Sequence, residues 1–110
     1  MDAATLKARL KSREPLILID VRDAAEVVAE PYFVVPPKNY LNIPVLSLLF
    51  ASKEELQAKI FEALRLPIDT PVVTLCHSGG RSERACKELQ QHGWQAENLE
   101  GGIIAWGDPL

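Results

Sequence analysis

The chain has 110 residues, 47% of them hydrophobic, with 15 acidic and 12 basic side chains and a formal net charge of -3. That length fits one domain, residues 1–110, and a chain of this size buries about 60–70% of its unfolded surface, enough for a core without disulfide or metal staples. The two signs of charge are mixed along the chain, which argues against nucleic acid as a partner; no basic leader opens it and no apolar stretch nears the ~18 residues that span a bilayer, so the cytoplasm rather than a membrane is expected.

Asp2 caps a predicted helix from Ala3 to about Lys11, in which Leu6 and Leu10 repeat at helical spacing. Pro15 ends it. Leu16-Ile17-Leu18-Ile19 is a short apolar run of the kind found in a parallel strand covered on both faces, finishing at Asp20-Val21-Arg22. Asp23-Ala24-Ala25-Glu26 has the form of a capping box and opens a second helix that stops before Pro31. From Pro31 to Asn39 the chain reads as an irregular crossover, because Pro36-Pro37 cannot donate ladder hydrogen bonds, and Leu41-Asn42-Ile43 reads as a short strand.

A second capping box, Ser52-Lys53-Glu54-Glu55, opens an amphipathic helix with an expected buried stripe of Leu56, Ile60, Phe61 and Leu64. The β-branched run Pro71-Val72-Val73-Thr74-Leu75 is the best strand signal and leads straight into Cys76. After His77-Ser78-Gly79-Gly80-Arg81, a helix from about Ser82 to His92 presents Ala85, Cys86 and Leu89 on one face and ends at Gly93. A last strand spans about Ala96 to Leu99, ahead of Gly101-Gly102-Ile103-Ile104-Ala105-Trp106. Strands alternating with helices predict an α/β fold, a mainly parallel sheet of four to five strands flanked by helices.

The chemistry concentrates at Cys76. In an open α/β sheet, ligands sit beyond the C-terminal strand edges, where loops lead into helix N-termini. Gly79 and Gly80 can take positive φ angles, so the loop is expected to curl its amides around the sulfur. The helix dipole and the Arg81 cation both favour the thiolate, which is the reactive form. The same amides would hold an anionic persulfide or a sulfur oxyanion. Cys76 read instead as a small buried apolar residue leaves Gly-Gly-Arg without a purpose.

The remaining polar candidates divide into site and scaffold. Cys86 lies on the apolar stripe and reads as core filling rather than a resolving thiol. His77 either lines the mouth of the site or is simply exposed, and His92 suits a helix C-terminus. Asp20 and Arg22 reach the same sheet edge as Cys76, where they support the loop or touch the substrate. With two cysteines that lack any paired spacing, neither a disulfide framework nor a zinc site is expected.

Four segments in order, Leu18-Ile19-Asp20-Val21-Arg22, Asn42-Ile43-Pro44, Cys76-His77-Ser78-Gly79-Gly80-Arg81-Ser82 and Leu99-Glu100-Gly101-Gly102-Ile103-Ile104-Ala105-Trp106, together resemble the rhodanese domain. The resemblance implies a catalytic cysteine at Cys76 and substrate binding by His77, Ser78, Gly79, Gly80, Arg81 and Ser82, with Asp20 and Arg22 in support. It implies sulfane sulfur taken as a Cys76 persulfide from thiosulfate or a similar anion and passed to a thiol or cyanide acceptor, or to a sulfur-carrier protein. No cofactor or metal is implied.

The segment Val35-Pro36-Pro37-Lys38-Asn39-Tyr40 departs from the family's usual Gly-His-Ile-x-Gly-Ala pattern, so a different crossover path is expected. The extra edge strand that often precedes the first helix is also missing, which predicts a sheet one strand short. Two other readings compete. A non-catalytic binding module could dock a partner through Pro36-Pro37. Cysteine-dependent phosphatase or arsenate reductase chemistry needs five residues between cysteine and arginine, and four separate Cys76 from Arg81.

Overall fold

A computed structural model describes all 110 residues, Met1–Leu110. Its elements in chain order are α1 (Ala3–Lys11), β1 (Ile17–Asp20), α2 (Ala24–Ala29), β2 (Tyr40–Asn42), α3 (Val45–Phe50), α4 (Lys53–Leu64), β3 (Val72–Leu75), α5 (Gly80–Gln91), β4 (Ala96–Asn98) and α6 (Gly102–Trp106). The four strands form one parallel sheet in the order β2-β1-β3-β4. All C-terminal strand ends therefore meet at one edge, and Asp20 pairs in register with both Asn42 and Leu75, the residue before Cys76.

The period-two alternation of a strand sorts side chains to opposite faces. Ile17, Ile19 and Val72 join Leu48, Leu56, Ile60, Ala85, Cys86 and Leu89 from α3, α4 and α5 in one core cluster. On the other face, Leu18, Val73 and Leu75 pack with Leu6 of α1, Tyr32 and Phe33 of the crossover, and Ile103 and Trp106 of α6. Each such Leu or Ile contributes about 1.5–3 kcal/mol by leaving water, so the two buried layers hold the sheet edge in place.

The caps at Asp2 and Ser52 form as expected: the Asp2 carboxylate accepts from the Thr5 N–H at 2.7 Å, and the Ser52 hydroxyl from that of Glu55 at 3.1 Å. The sheet has no strand ahead of α1. Instead Met1 lies along the outer side of β4, its amine donating to the Asn98 carbonyl at 3.0 Å and its carbonyl accepting from the Glu100 N–H at 2.9 Å.

Several boundaries differ from the sequence reading. The second strand begins at Tyr40 and ends at Asn42; the Ile43 N–H still donates to the Asp20 carbonyl at 2.9 Å, and the chain then turns at Pro44 into α3. Helix α3 itself was not foreseen. It is six residues long, follows Pro44 and buries only Leu48, which is too little for a helical period to show. In α4 the buried stripe narrows to Leu56 and Ile60; Leu64 is partly buried, and Phe61 stays 50% exposed under the Arg65 guanidinium. Helix α5 starts two residues early, at Gly80, so Arg81 and Ser82 belong to its first turn. The Gly101-Gly102 pair conceals a further short helix, α6.

Candidate active site at the end of the third strand

Cys76 follows the last residue of β3 and is 1% exposed. Its Sγ accepts a hydrogen bond from the Gly79 N–H at 3.0 Å and one from the Ser82 hydroxyl at 3.1 Å. This closure requires the chain to double back within three residues, and Gly79 does so with φ +104. Gly80 does not share that duty: it is the first residue of α5 and has no positive φ. The expectation that both glycines bend the loop therefore holds only for Gly79.

Burial pushes the Cys76 thiol up, but hydrogen bonds from the Ser82 hydroxyl and from the backbone of Ser82, Gly79 and Ser78 outweigh it and leave its pKa below the ordinary value. The cation expected to help is engaged elsewhere. Arg81 Nη1 and Nη2 donate to the two carboxylate oxygens of Glu26 on α2 at 2.6 and 2.8 Å. That bidentate contact raises the Arg81 pKa and lowers that of Glu26 from 4.5 to about 2. Thiolate stabilisation thus comes from Ser82 and the loop amides, because the guanidinium charge is already balanced.

The loop is held from behind by groups that lie far away in sequence. The Tyr32 hydroxyl donates to the Cys76 carbonyl, and that same carbonyl accepts from the Ile103 N–H at 3.0 Å. The Ile104 N–H reaches the His77 carbonyl at 3.3 Å. Asn98 Nδ2 donates to the Gly79 carbonyl at 3.1 Å. Gly102, at φ +56, leaves no room for a side chain: a Cβ there would lie 2.7 Å from the Cys76 carbonyl oxygen. Gly102, Ile103 and Ile104 belong to a segment that carries the resemblance, but no local pattern relates them, Tyr32 or Asn98 to Cys76.

Asp20 and Arg22 lie at the same sheet edge, fully buried against each other. Arg22 Nε donates to Asp20 Oδ1 at 3.0 Å and Nη2 to Oδ2 at 2.7 Å, while Nη1 donates to the Glu30 carbonyl at 2.6 Å. The Tyr40 hydroxyl adds a 2.6 Å bond to Asp20 Oδ2. The guanidinium also stacks 4.9 Å above the Tyr32 ring, whose hydroxyl holds Cys76. The pair therefore reaches the cysteine through Tyr32.

The other loop residues spread around the mouth. The His77 side chain is 44% exposed, with Nε2 3.9 Å from the Glu30 carboxylate. Ser78, Gly79 and Gly80 also line a cleft with Glu83, Cys86, Glu97 and Glu100, on a side that Cys76 does not reach. Cys86 is buried in the core and its thiol is pushed up by that burial, while His92 lies 3.2 Å from Glu88 one turn away. No helix is long and apolar enough to cross a membrane.

Residues 2–108 match the Rhodanese-like domain family. A sulfurtransferase of Allochromatium vinosum is 34% identical over 107 residues, covering 96% of this chain and 85% of that protein. Among solved structures, a rhodanese-related protein from Thermoplasma volcanium superposes with a TM-score of 0.71 at 28% identity, over 99% of this chain and 93% of that one. The human single-domain sulfurtransferase TSTD1 superposes with the same TM-score of 0.71 at 26% identity, over 96% and 92% of the two chains. The chain belongs to the rhodanese-like sulfurtransferase family.

Proposed function

We propose that this rhodanese-family chain moves sulfane sulfur from a small donor to a nucleophilic acceptor through a persulfide on Cys76. The observation that carries the reading is the Cys76 sulfur itself, ringed by the Gly79 N–H at 3.0 Å and the Ser82 hydroxyl at 3.1 Å and held below its ordinary pKa. A thiolate so placed attacks the outer sulfur of the donor. The new bond joins Sγ to that sulfur, the donor's S–S bond breaks, and its electron pair leaves on sulfite or on a thiolate.

The resulting persulfide keeps one negative charge at the end of Cys76, where the loop amides and Ser82 stabilise it as they stabilise the thiolate. A thiol, cyanide, or the terminal group of a sulfur-carrier protein then removes the outer sulfur and restores Cys76. His77, Ser78, Gly79, Gly80, Arg81 and Ser82 form the substrate-binding loop in this scheme, and Asp20 and Arg22 support it through Tyr32. Double displacement of this kind gives ping-pong kinetics.

The test is intact mass after incubation with thiosulfate or an organic persulfide. The expected result is the gain of one sulfur atom in the native chain and none in Cys76→Ala. A mass unchanged by every donor would overturn the proposal. Cys76 alkylation no faster than that of a free cysteine would instead favour a binding module. Aryl phosphate turnover that disappears in Cys76→Ser would favour phosphatase chemistry.

A further inference from the structure

The loop has an arginine where an anionic donor would be met, yet that arginine is spent on a carboxylate. Arg81 and Glu26 form a bidentate pair at 2.6 and 2.8 Å with each side chain only about one-third exposed. Helix α2, which carries Glu26, buries none of its own residues, so this carboxylate is not placed by core packing. Arg22, at the same sheet edge, is likewise closed on a carboxylate, that of Asp20.

A dianion entering this site meets amides, a hydroxyl and an Arg81 guanidinium whose charge is already balanced by Glu26. Thiosulfate has two charges to desolvate, and its leaving group, sulfite, departs with both. A persulfide group brings at most one to the reacting sulfur. In its protonated form the transfer reads Cys–S⁻ + R–S–SH → Cys–S–SH + R–S⁻, in which one S–S bond forms, one breaks, and the pair leaves on the thiolate. Charge balance at the mouth therefore weighs more heavily against thiosulfate than against a persulfide.

Building on the sulfur-transfer reading above, we propose that Glu26 is a specificity-determining residue which, by holding the Arg81 guanidinium in both its oxygens, sets the Cys76 loop to take sulfur from persulfides rather than from dianionic thiosulfate. Glu26 acts through Arg81, and in that sense it is a positioning residue. The same geometry assigns the donor to the class of thiol-borne persulfides, of low molecular weight or on a protein.

Loading of Cys76 is followed by intact mass with two probes, thiosulfate and cysteine persulfide, in the native chain and in Glu26→Gln. Glutamine keeps a carbonyl acceptor for the Asp23 N–H, which Glu26 now accepts at 3.1 Å, and removes only the charge. The ratio of the thiosulfate to the persulfide rate constant is expected to rise at least tenfold in Glu26→Gln. It is expected to fall back toward the native value in Glu26→Gln/Arg81→Gln. A structural role in pinning α2 would slow both donors together and leave the ratio where it was, which overturns the proposal.

Salt dependence gives a reading that needs no variant. Raising ionic strength from about 0.05 to 0.5 M screens any attraction between thiosulfate and a free cation. In the native chain thiosulfate loading should stay level or speed up, and a clear slowing would reveal an uncompensated cation and overturn the proposal. If neither donor loads Cys76 in any variant, the sulfur-transfer reading itself falls and takes this one with it. If both load with an unchanged ratio, only the role of Glu26 falls.

Discussion

Removing one hydroxyl tests the electrostatics of the site most directly. Ser82 is fully buried, and its Oγ lies 3.1 Å from Cys76 Sγ and 3.2 Å from the Gly79 carbonyl oxygen. Ser82→Ala keeps the backbone amide and the helix while deleting the largest of the influences that lower the cysteine's pKa. A hydrogen bond to a charged group is worth about 1.5–3 kcal/mol, and 1.36 kcal/mol corresponds to one pKa unit, so the Cys76 pKa should rise by about 1 to 2.

At a pH below both pKa values the thiolate fraction then falls by about 10- to 100-fold, but a more basic thiolate is also a better nucleophile, with a Brønsted slope of about 0.4–0.5. The two effects combine to slow alkylation below both pKa values by about 3- to 16-fold, and to speed it above both by about 2.5- to 10-fold. Rate–pH profiles with iodoacetamide, read alongside thiolate absorbance and a Cys76→Ala control, should therefore cross. A variant slower at every pH would refute the reasoning and point to a displaced loop instead.

The two glycines of the loop should respond oppositely. Gly79→Ala forces a side chain into φ +104, with its Cβ 3.3 Å from the Gly101 amide, and should cost about 1–3 kcal/mol; Gly80→Ala meets open space at a helix start and should add up to about 1 kcal/mol, both read by urea denaturation. Asp20→Asn leaves the Arg22 guanidinium buried opposite a neutral partner and should cost about 3–5 kcal/mol in the same assay, whereas a loss under about 1 kcal/mol would mean the pair contributes little. Glu26 has a folded pKa of about 2 against an ordinary 4.5, so what its charge contributes is complete above 4.5 and disappears as pH falls toward 2. The difference in thermal midpoint between the native chain and Glu26→Gln should accordingly be present at pH 6 and shrink below pH 4.5, and a difference that persists to pH 2 would contradict the assignment.

Local chemistry was enough to read much of this protein. The strand at Val72–Leu75 announces itself by β-branching, the caps at Asp2 and Ser52 by residue type and spacing, and the Cys76 loop by a short motif whose parts all lie within seven residues. Such features form from neighbours along the chain, so their physics is visible in a window of sequence. What the window omits is the partner of each charged group. Arg81 read alone is a cation near a cysteine; its actual partner, Glu26, is 55 residues away and read alone is only the last residue of a capping box.

The same limit hid the buried Arg22, fully enclosed by Asp20, Tyr32 and Tyr40, and the amides of α6 that clamp the Cys76 and His77 carbonyls. Tyr32 looked like part of an apolar crossover, yet its hydroxyl reaches across 44 residues to the cysteine. Parallel pairing of β1 with β3 brings these groups together, because it places Asp20 beside Leu75 and gathers every following loop at one edge. Chain chemistry alone placed Cys76 at the strand end with a glycine loop whose amide faces its sulfur. Only the folded sheet decided which charges would be cancelled around it, since cancellation depends on distance in space and the sequence records distance only along the chain.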